Sequence, residues 1–284
     1  MQTPITLPLI MLFALAPPVA TFAQAGGENG TDVPAQTSSP TIRDPNGHPF
    51  RTLASSPLEP VHRLAPVYVS SEGEEQWVIL AELGDRLSFW MHRDPEGRFE
   101  LAGALGVGVS SRFDLESTDN EFIEVHYRVG FMLRARYRGI AARAEFYHIS
   151  SHLGDEFLLR TGREPIDASR EGLEVLLQAA PHPWLLVYGG GGVLTRSTGS
   201  LGRVSARGGL ELSPPSGSGV RPYVSVEVYG WEEVDWEPLA SAEAGIAFGA
   251  HSRLGLLFSA GPSRADQFVH ENETLLGLGF SFRR

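Results

Sequence analysis

The chain has 284 residues, no cysteine and a formal net charge of -11. Without cysteine no disulfide framework holds it together, and an acidic balance without clustered Lys and Arg excludes nucleic acid as a partner. Beyond the N-terminus no stretch approaches the about 20 consecutive apolar residues of a spanning helix, which excludes a helical membrane protein and leaves 32 glycines to be explained.

Residues 4–20 form the one long apolar run, and Ala23-Gln24-Ala25 has the small-x-small pattern of a cleavage site. Residues 1–25 are therefore expected to be a secretory signal peptide, although Met1-Gln2-Thr3 carries no Lys or Arg. Residues 26–60 are rich in Gly, Pro, Ser, Thr and Asn and lack hydrophobic periodicity, the composition of an unstructured, low-complexity segment. Residues 61–284 change texture: short alternating segments separated by Gly, Pro, Asp and Ser clusters predict an all-β, antiparallel domain.

Twelve strands are expected, at 64–70, 76–92, 98–112, 122–137, 139–152, 168–180, 183–195, 203–213, 221–231, 237–249, 252–261 and 273–282. Connections after even strands are mostly tight, as at Asp94-Pro95-Glu96-Gly97 and Arg138-Gly139, with a longer Pro- and Gly-rich exception at 213–220. Those after odd strands are mostly longer and acidic, at 114–121, 153–167, 232–237 and 262–272. Short turns at one end and long loops at the other predict an antiparallel transmembrane β-barrel of the outer-membrane type, with the start of the first strand and the end of the last on the short-turn, periplasmic side.

The faces of the strands agree. Val125, Tyr127, Val129, Phe131, Leu133, Ala135 and Tyr137 oppose His126, Arg128, Gly130, Met132, Arg134 and Arg136 in the fourth. Leu276, Leu278, Phe280 and Phe282 oppose Gly277, Gly279 and Ser281 in the last. A soluble β-sandwich or lipocalin-like barrel would also alternate. The charges recurring on the non-apolar faces and the aromatics near strand ends favour a membrane barrel. Its lumen then holds Arg128, Arg134, Arg136, Arg143, Glu145, Glu174, Arg207, Glu211, Glu227 and Glu243. A barrel of this strand number is only somewhat wider than one its own side chains fill. A mixed-sign network that plugs it is thus the expected state, and a narrow solute-selecting pore is the alternative.

The fifth strand carries the residues most suggestive of chemistry. His148, Ser150 and His152 share one face with Ala142, Ala144 and Phe146. Placing that face in the lumen would turn Arg143 and Glu145 to lipid, at ~2–4 kcal/mol for an Arg at the midplane. The trio is therefore expected outside, near the outer leaflet, where a polar collar at headgroup depth is the plain interpretation. Folding back the 153–167 loop sets His148 across from Arg170 or Glu171. Glu171 lies on the apolar face of the sixth strand, so it could orient His148, which could deprotonate Ser150. His152 of the trio, and Asp155 and Glu156 beside it, are candidate binding residues. The acidic loops are candidate positions for Ca²⁺ or Mg²⁺ bridging lipopolysaccharide phosphates, though no spacing matches a dedicated calcium loop; no organic cofactor is expected. The Gly189–Gly192 run has neither the Lys nor the helix of a phosphate loop and is expected to permit close packing.

The spacing His148-x-Ser150 on a lipid-side strand resembles the H-x-S core of outer-membrane phospholipase A and of the lipid A 3-O-deacylase. Those families continue with Asn, where this chain has Ser151. More broadly, residues 50–282, and especially 147–159, 188–192 and 231–236, resemble the bacterial family called domain of unknown function 1207. That resemblance implies an exported outer-membrane barrel and assigns no reaction. Three functional readings follow: a structural or binding role at the outer leaflet, a lipid-ester hydrolase using Ser150, His148 and Glu171, or a narrow solute channel. The expected partners are outer-membrane lipids and lipopolysaccharide, and the barrel-assembly machinery during insertion.

Overall fold

The computed structural model describes residues 49–51, 54–59, 61–166, 168–198, 203–214, 219–249 and 251–282. The expected signal peptide and residues 26–48 lie outside them. Twelve strands close into one antiparallel barrel in which each strand pairs with its chain neighbours and the first with the last. They are β1 (His62–Ser71), β2 (Glu74–Arg93), β3 (Phe99–Asp114), β4 (Phe122–Tyr137), β5 (Ile140–Leu153), β6 (Ala168–His182), β7 (Leu185–Ser197), β8 (Val204–Leu212), β9 (Val220–Trp231), β10 (Leu239–Phe248), β11 (Ser252–Pro262) and β12 (Asn272–Phe282). A short helix, α1 (Asp155–Thr161), follows β5. The seam joins β1 to β12 through pairs such as Leu64↔Phe280 and Tyr68↔Leu276. Closure leaves no sheet edge between the first strand and the last, which is what lets strands cross a lipid phase.

Alternation sets the orientation of every strand. Phe131, Leu133, Leu173, Val175, Leu177, Leu256, Leu276 and Leu278 are exposed on the outside, while Arg134, Arg143, Glu145, Arg207 and Glu243 are buried inside. Exposed Phe89, Trp90, Tyr137, Trp184 and Phe282 lie toward the short-turn end, as an interfacial girdle does. An apolar exterior around a charged, packed interior inverts the pattern of a soluble barrel. It fits one solvent only, the hydrocarbon of a bilayer.

The long connections follow odd strands except between β8 and β9, and one odd connection is short. β1 and β2 are joined by Glu72 (φ +48°) and Gly73 (φ +91°), a two-residue turn with both residues left-handed. At the long-loop end, Phe157 of α1 packs edge-on against Phe268 of the β11–β12 loop, with ring centroids 6.1 Å apart. Fully buried Gln267 donates from Nε2 to the carbonyls of Ser151 (3.1 Å) and Ile166 (2.9 Å). Two long loops are thereby folded over the mouth rather than standing free of it.

The glycine run brings β6 and β7 together. A Cβ at Gly190 would overlap the Val175 carbonyl oxygen and come within 2.9 Å of Leu176 Cα. Backbone cannot yield as a side-chain end can, so Gly190→Ala is expected to part these strands at a cost of about 1–3 kcal/mol. A lower urea midpoint for unfolding, followed as loss of the compact heat-modifiable band on gels, checks it; an unchanged midpoint would refute the packing argument.

Candidate functional site

Two groupings of polar side chains stand out, one outside the barrel and one inside. The outer one is built on β5 and β6. In register, His148 pairs with Glu171 and Ser150 with Ser169, while on the other flank Val129 and Tyr127 lie beside His148 and Ser150. His148 Nδ1 is 3.5 Å from Glu171 Oε1, with the two side chains 42% and 29% exposed. Arg143, Glu145, Tyr147, Ile149 and Ser151 are all buried on the opposite face, so the trio is on the lipid side. Of the two partners expected across from His148, Glu171 takes the position, and Arg170 points inward to Asp266 at 2.6 Å.

Alternate residues on one strand face are neighbours along it, so His148 and Ser150 stand side by side. The His148 ring turns Nδ1, not Nε2, to the Glu171 carboxylate. His152 continues the face one pleat further, exposed, its ring 6.2 Å from that of Tyr127. Arg196 of β7 completes the outer row at 3.9 Å from Glu171 Oε1. Nothing in the strand alternation announced Arg196, because its position depends on an irregularity at Thr195.

Asp155 and Glu156 open α1 and are exposed. Glu156 lines an acidic recess at the rim with Glu74, Glu75, Asp114, Glu116 and Glu121. Among the described residues no three His, Asp or Glu side chains are grouped to hold a metal ion.

The inner grouping is the lumen. All ten charges expected there face inward. Arg128 meets Glu145 (2.8 Å), Arg136 meets Glu100 (3.1 Å), Arg253 meets Glu211 (3.1 Å) and Arg63 meets Glu243 (3.0 Å). Arg134 donates to Ser88 Oγ at 2.6 Å. At the centre Glu174 receives both Arg143 (2.8 Å) and Arg207 (2.5 Å), and Arg207 also stands 3.7 Å from Glu227.

The expectation of an unstructured 26–60 segment needs correction at its end. Residues 49–51 and 54–59 occupy the lumen. Arg51 exchanges hydrogen bonds with Gln178 and pairs with Glu211. Phe50 lies beneath the Arg143 guanidinium, 5.2 Å from ring centroid to Cζ. Ala54 N donates to Glu211 (3.0 Å), and Ser55 meets Ser225 (2.7 Å). Glu59 accepts from Arg143 (2.7 Å) and Arg207 (2.9 Å) and pairs with Arg86. Composition concealed this because each partner lies far along the chain. The sequence signal was there only as Arg51 and Glu59, single charges in a polar tract.

The fold and its two polar groupings define a class: this is a bacterial outer-membrane β-barrel with a charge-packed lumen. The sequence matches the family described as "Protein of unknown function (DUF1207)" over residues 19–283, and the chain belongs to that family. No curated protein matches it. Among solved structures it is similar to outer membrane phospholipase A from Escherichia coli, with TM-score 0.55 and 15% identity over 81% of this chain and 91% of that one. It is also similar to the Salmonella typhi outer membrane phospholipase dimer with bound calcium, with TM-score 0.53 and 15% identity over 83% and 93%. At such identity the likeness is one of fold.

Proposed function

We propose that this barrel hydrolyses acyl esters of outer-leaflet lipids, with Ser150 as nucleophile, His148 as base and Glu171 as orienter. The observation that carries the reading is the His148–Glu171 approach at 3.5 Å beside Ser150, on the lipid face and toward the long-loop end. A headgroup collar needs polar side chains there but does not need an imidazole drawn to a carboxylate one pleat away from a serine. The solved phospholipases share the fold, which is consistent with lipid chemistry on such a surface without assigning it.

In the reaction, Ser150 Oγ attacks the ester carbonyl as His148 Nε2 takes its proton. The tetrahedral intermediate collapses, and His148 returns the proton to the departing lipid alkoxide. Water, deprotonated by His148, then cleaves the acyl-enzyme, releasing fatty acid and restoring Ser150. Nucleophile and base come from one rigid strand and the orienter from its neighbour, so the geometry needs no loop closure.

A fluorophosphonate probe tests the assignment, since it captures only an activated serine. The folded barrel is expected to take up one probe, with the added mass on the peptide containing Ser150. Absence of labelling at saturating probe, or labelling elsewhere, would refute it.

A further inference from the structure

We propose that Arg196 holds the phosphate of the lipid whose ester Ser150 attacks, so that the outer site selects phosphate-bearing acyl lipids over neutral esters; its kinetic test rests on the hydrolase reading. The starting point is β7. Val193 faces lipid, so strict alternation would turn Leu194 inward, Thr195 outward and Arg196 into the lumen. The register instead passes from Gly172↔Leu194 to Glu171↔Arg196, leaving Thr195 as an extra residue. Its hydroxyl donates to the Glu171 carbonyl at 3.3 Å. This bulge rotates Arg196 out of the charge-packed lumen and onto the outer surface beside Glu171. Re-aiming a side chain is what such insertions accomplish next to functional sites.

Once outside, the guanidinium is largely uncommitted. Its side chain is 77% exposed, and the 3.9 Å approach to Glu171 exceeds hydrogen-bond length. The five N–H donors of an Arg form a planar fork that matches two phosphate oxygens. Depth is right as well. Along the row His148–Glu171–Arg196, His148 lies well inside β5, which ends at Leu153. Arg196 is next to Ser197, the last residue of β7. Arg196 thus sits at the loop end of β7, the end at which headgroup phosphates lie. Arg170, one residue from Glu171, faces the lumen and is tied to Asp266, so it offers no competing cation on this surface.

The ligand chemistry is a phosphate a few bonds from an acyl ester, found in glycerophospholipids and in lipid A. The full barrel, folded in detergent micelles, is compared as wild type, Arg196→Gln and Arg196→Lys on phosphatidylglycerol, lipid A and a neutral diacylglycerol. For the phosphate-bearing substrates relative to the neutral one, kcat/KM is expected to fall about tenfold in Arg196→Gln through KM, with partial recovery in Arg196→Lys. A fall confined to phosphatidylglycerol or to lipid A identifies which lipid carries the phosphate. An unchanged ratio overturns the proposal, as does an equal loss of kcat on all three, which would make Arg196 part of the acyl-transfer chemistry. If the wild type cleaves none of them, the hydrolase reading falls and lipid retention decides the phosphate site. Native mass spectrometry of Ser150→Ala against Ser150→Ala/Arg196→Gln should then show loss of bound phosphatidylglycerol and lipid A in the double variant. Equal retention would overturn the site.

Discussion

Ser150→Ala should abolish release of fatty acid from outer-membrane lipid, by about 10³-fold or more, while the barrel folds as before. The substitution removes one oxygen from the outer face of β5, where Ser150 is half-buried between Tyr127 and Ser169. Nothing in the lumen depends on it, and a surface change of this kind moves stability by no more than about 0.5 kcal/mol. Catalysis is different, because without Oγ no acyl-enzyme forms and His148 has no proton to move. Members of such a unit lose activity non-additively, so His148→Ala should fall nearly as far as Ser150→Ala and the double variant little further. Glu171→Gln keeps the shape of the side chain and lets His148 turn, for a smaller loss of about 10²-fold. Fatty acid release from vesicles, together with mass spectrometry of membrane lipids from cells with and without the protein, checks the series. Equal release by wild type and Ser150→Ala would sink the hydrolase reading and leave the trio as a headgroup collar.

Glu59→Ala should unseat the segment inside the lumen and open a path for ions. The carboxylate is buried where Arg143, Arg207 and Arg86 converge, and among the described residues no other acidic group joins all three. Removing one partner of a buried ionic cluster leaves unpaired charge in a poorly solvated site, a loss of about 3–5 kcal/mol. The guanidiniums would recover solvation only if residues 49–51 and 54–59 withdrew and water entered. Discrete conductance in planar bilayers from Glu59→Ala, with a nearly silent wild type, is the expected result; two silent proteins would show that the strands alone fill the lumen.

Acid should do the same by titration. Glu59 precedes the first spanning strand. Burial pushes its carboxyl up, and the guanidiniums of Arg143, Arg86 and Arg207 pull it down by more, leaving it well below the usual carboxylate range. A group depressed in the folded state contributes its stability above its unfolded value and loses it as pH falls through its folded value. The plug should therefore hold through neutral and mildly acidic conditions and loosen only below about pH 4.

The plug also bears on the channel reading. Glu59, Arg51 and Ser55 stand between the walls and pair with groups that an open, selective pore would leave to water.

Strand positions, faces and lumen charges were legible because they follow a local rule. A period of two in hydrophobicity and a turn residue every ten or so positions can be read from a few neighbouring residues. The stretch from Arg143 to His152 even oriented itself, since only one choice of face kept Arg143 and Glu145 out of lipid. What local reading could not supply was anything set by one strand's position against another. The choice of Glu171 over Arg170 opposite His148 depended on the register across a long loop. The plug depended on contacts such as Arg51 to Glu211 and Glu59 to Arg143, between residues far apart in the chain. Arg196 depended on a single extra residue, Thr195, that reverses the alternation for the rest of β7. Alternation is a property of one strand, whereas register, bulges and ion pairs across the lumen are properties of the closed sheet. The register of β5, β6 and β7, with the extra residue in β7, brought the imidazole, the carboxylate and the guanidinium into one row on the outer face.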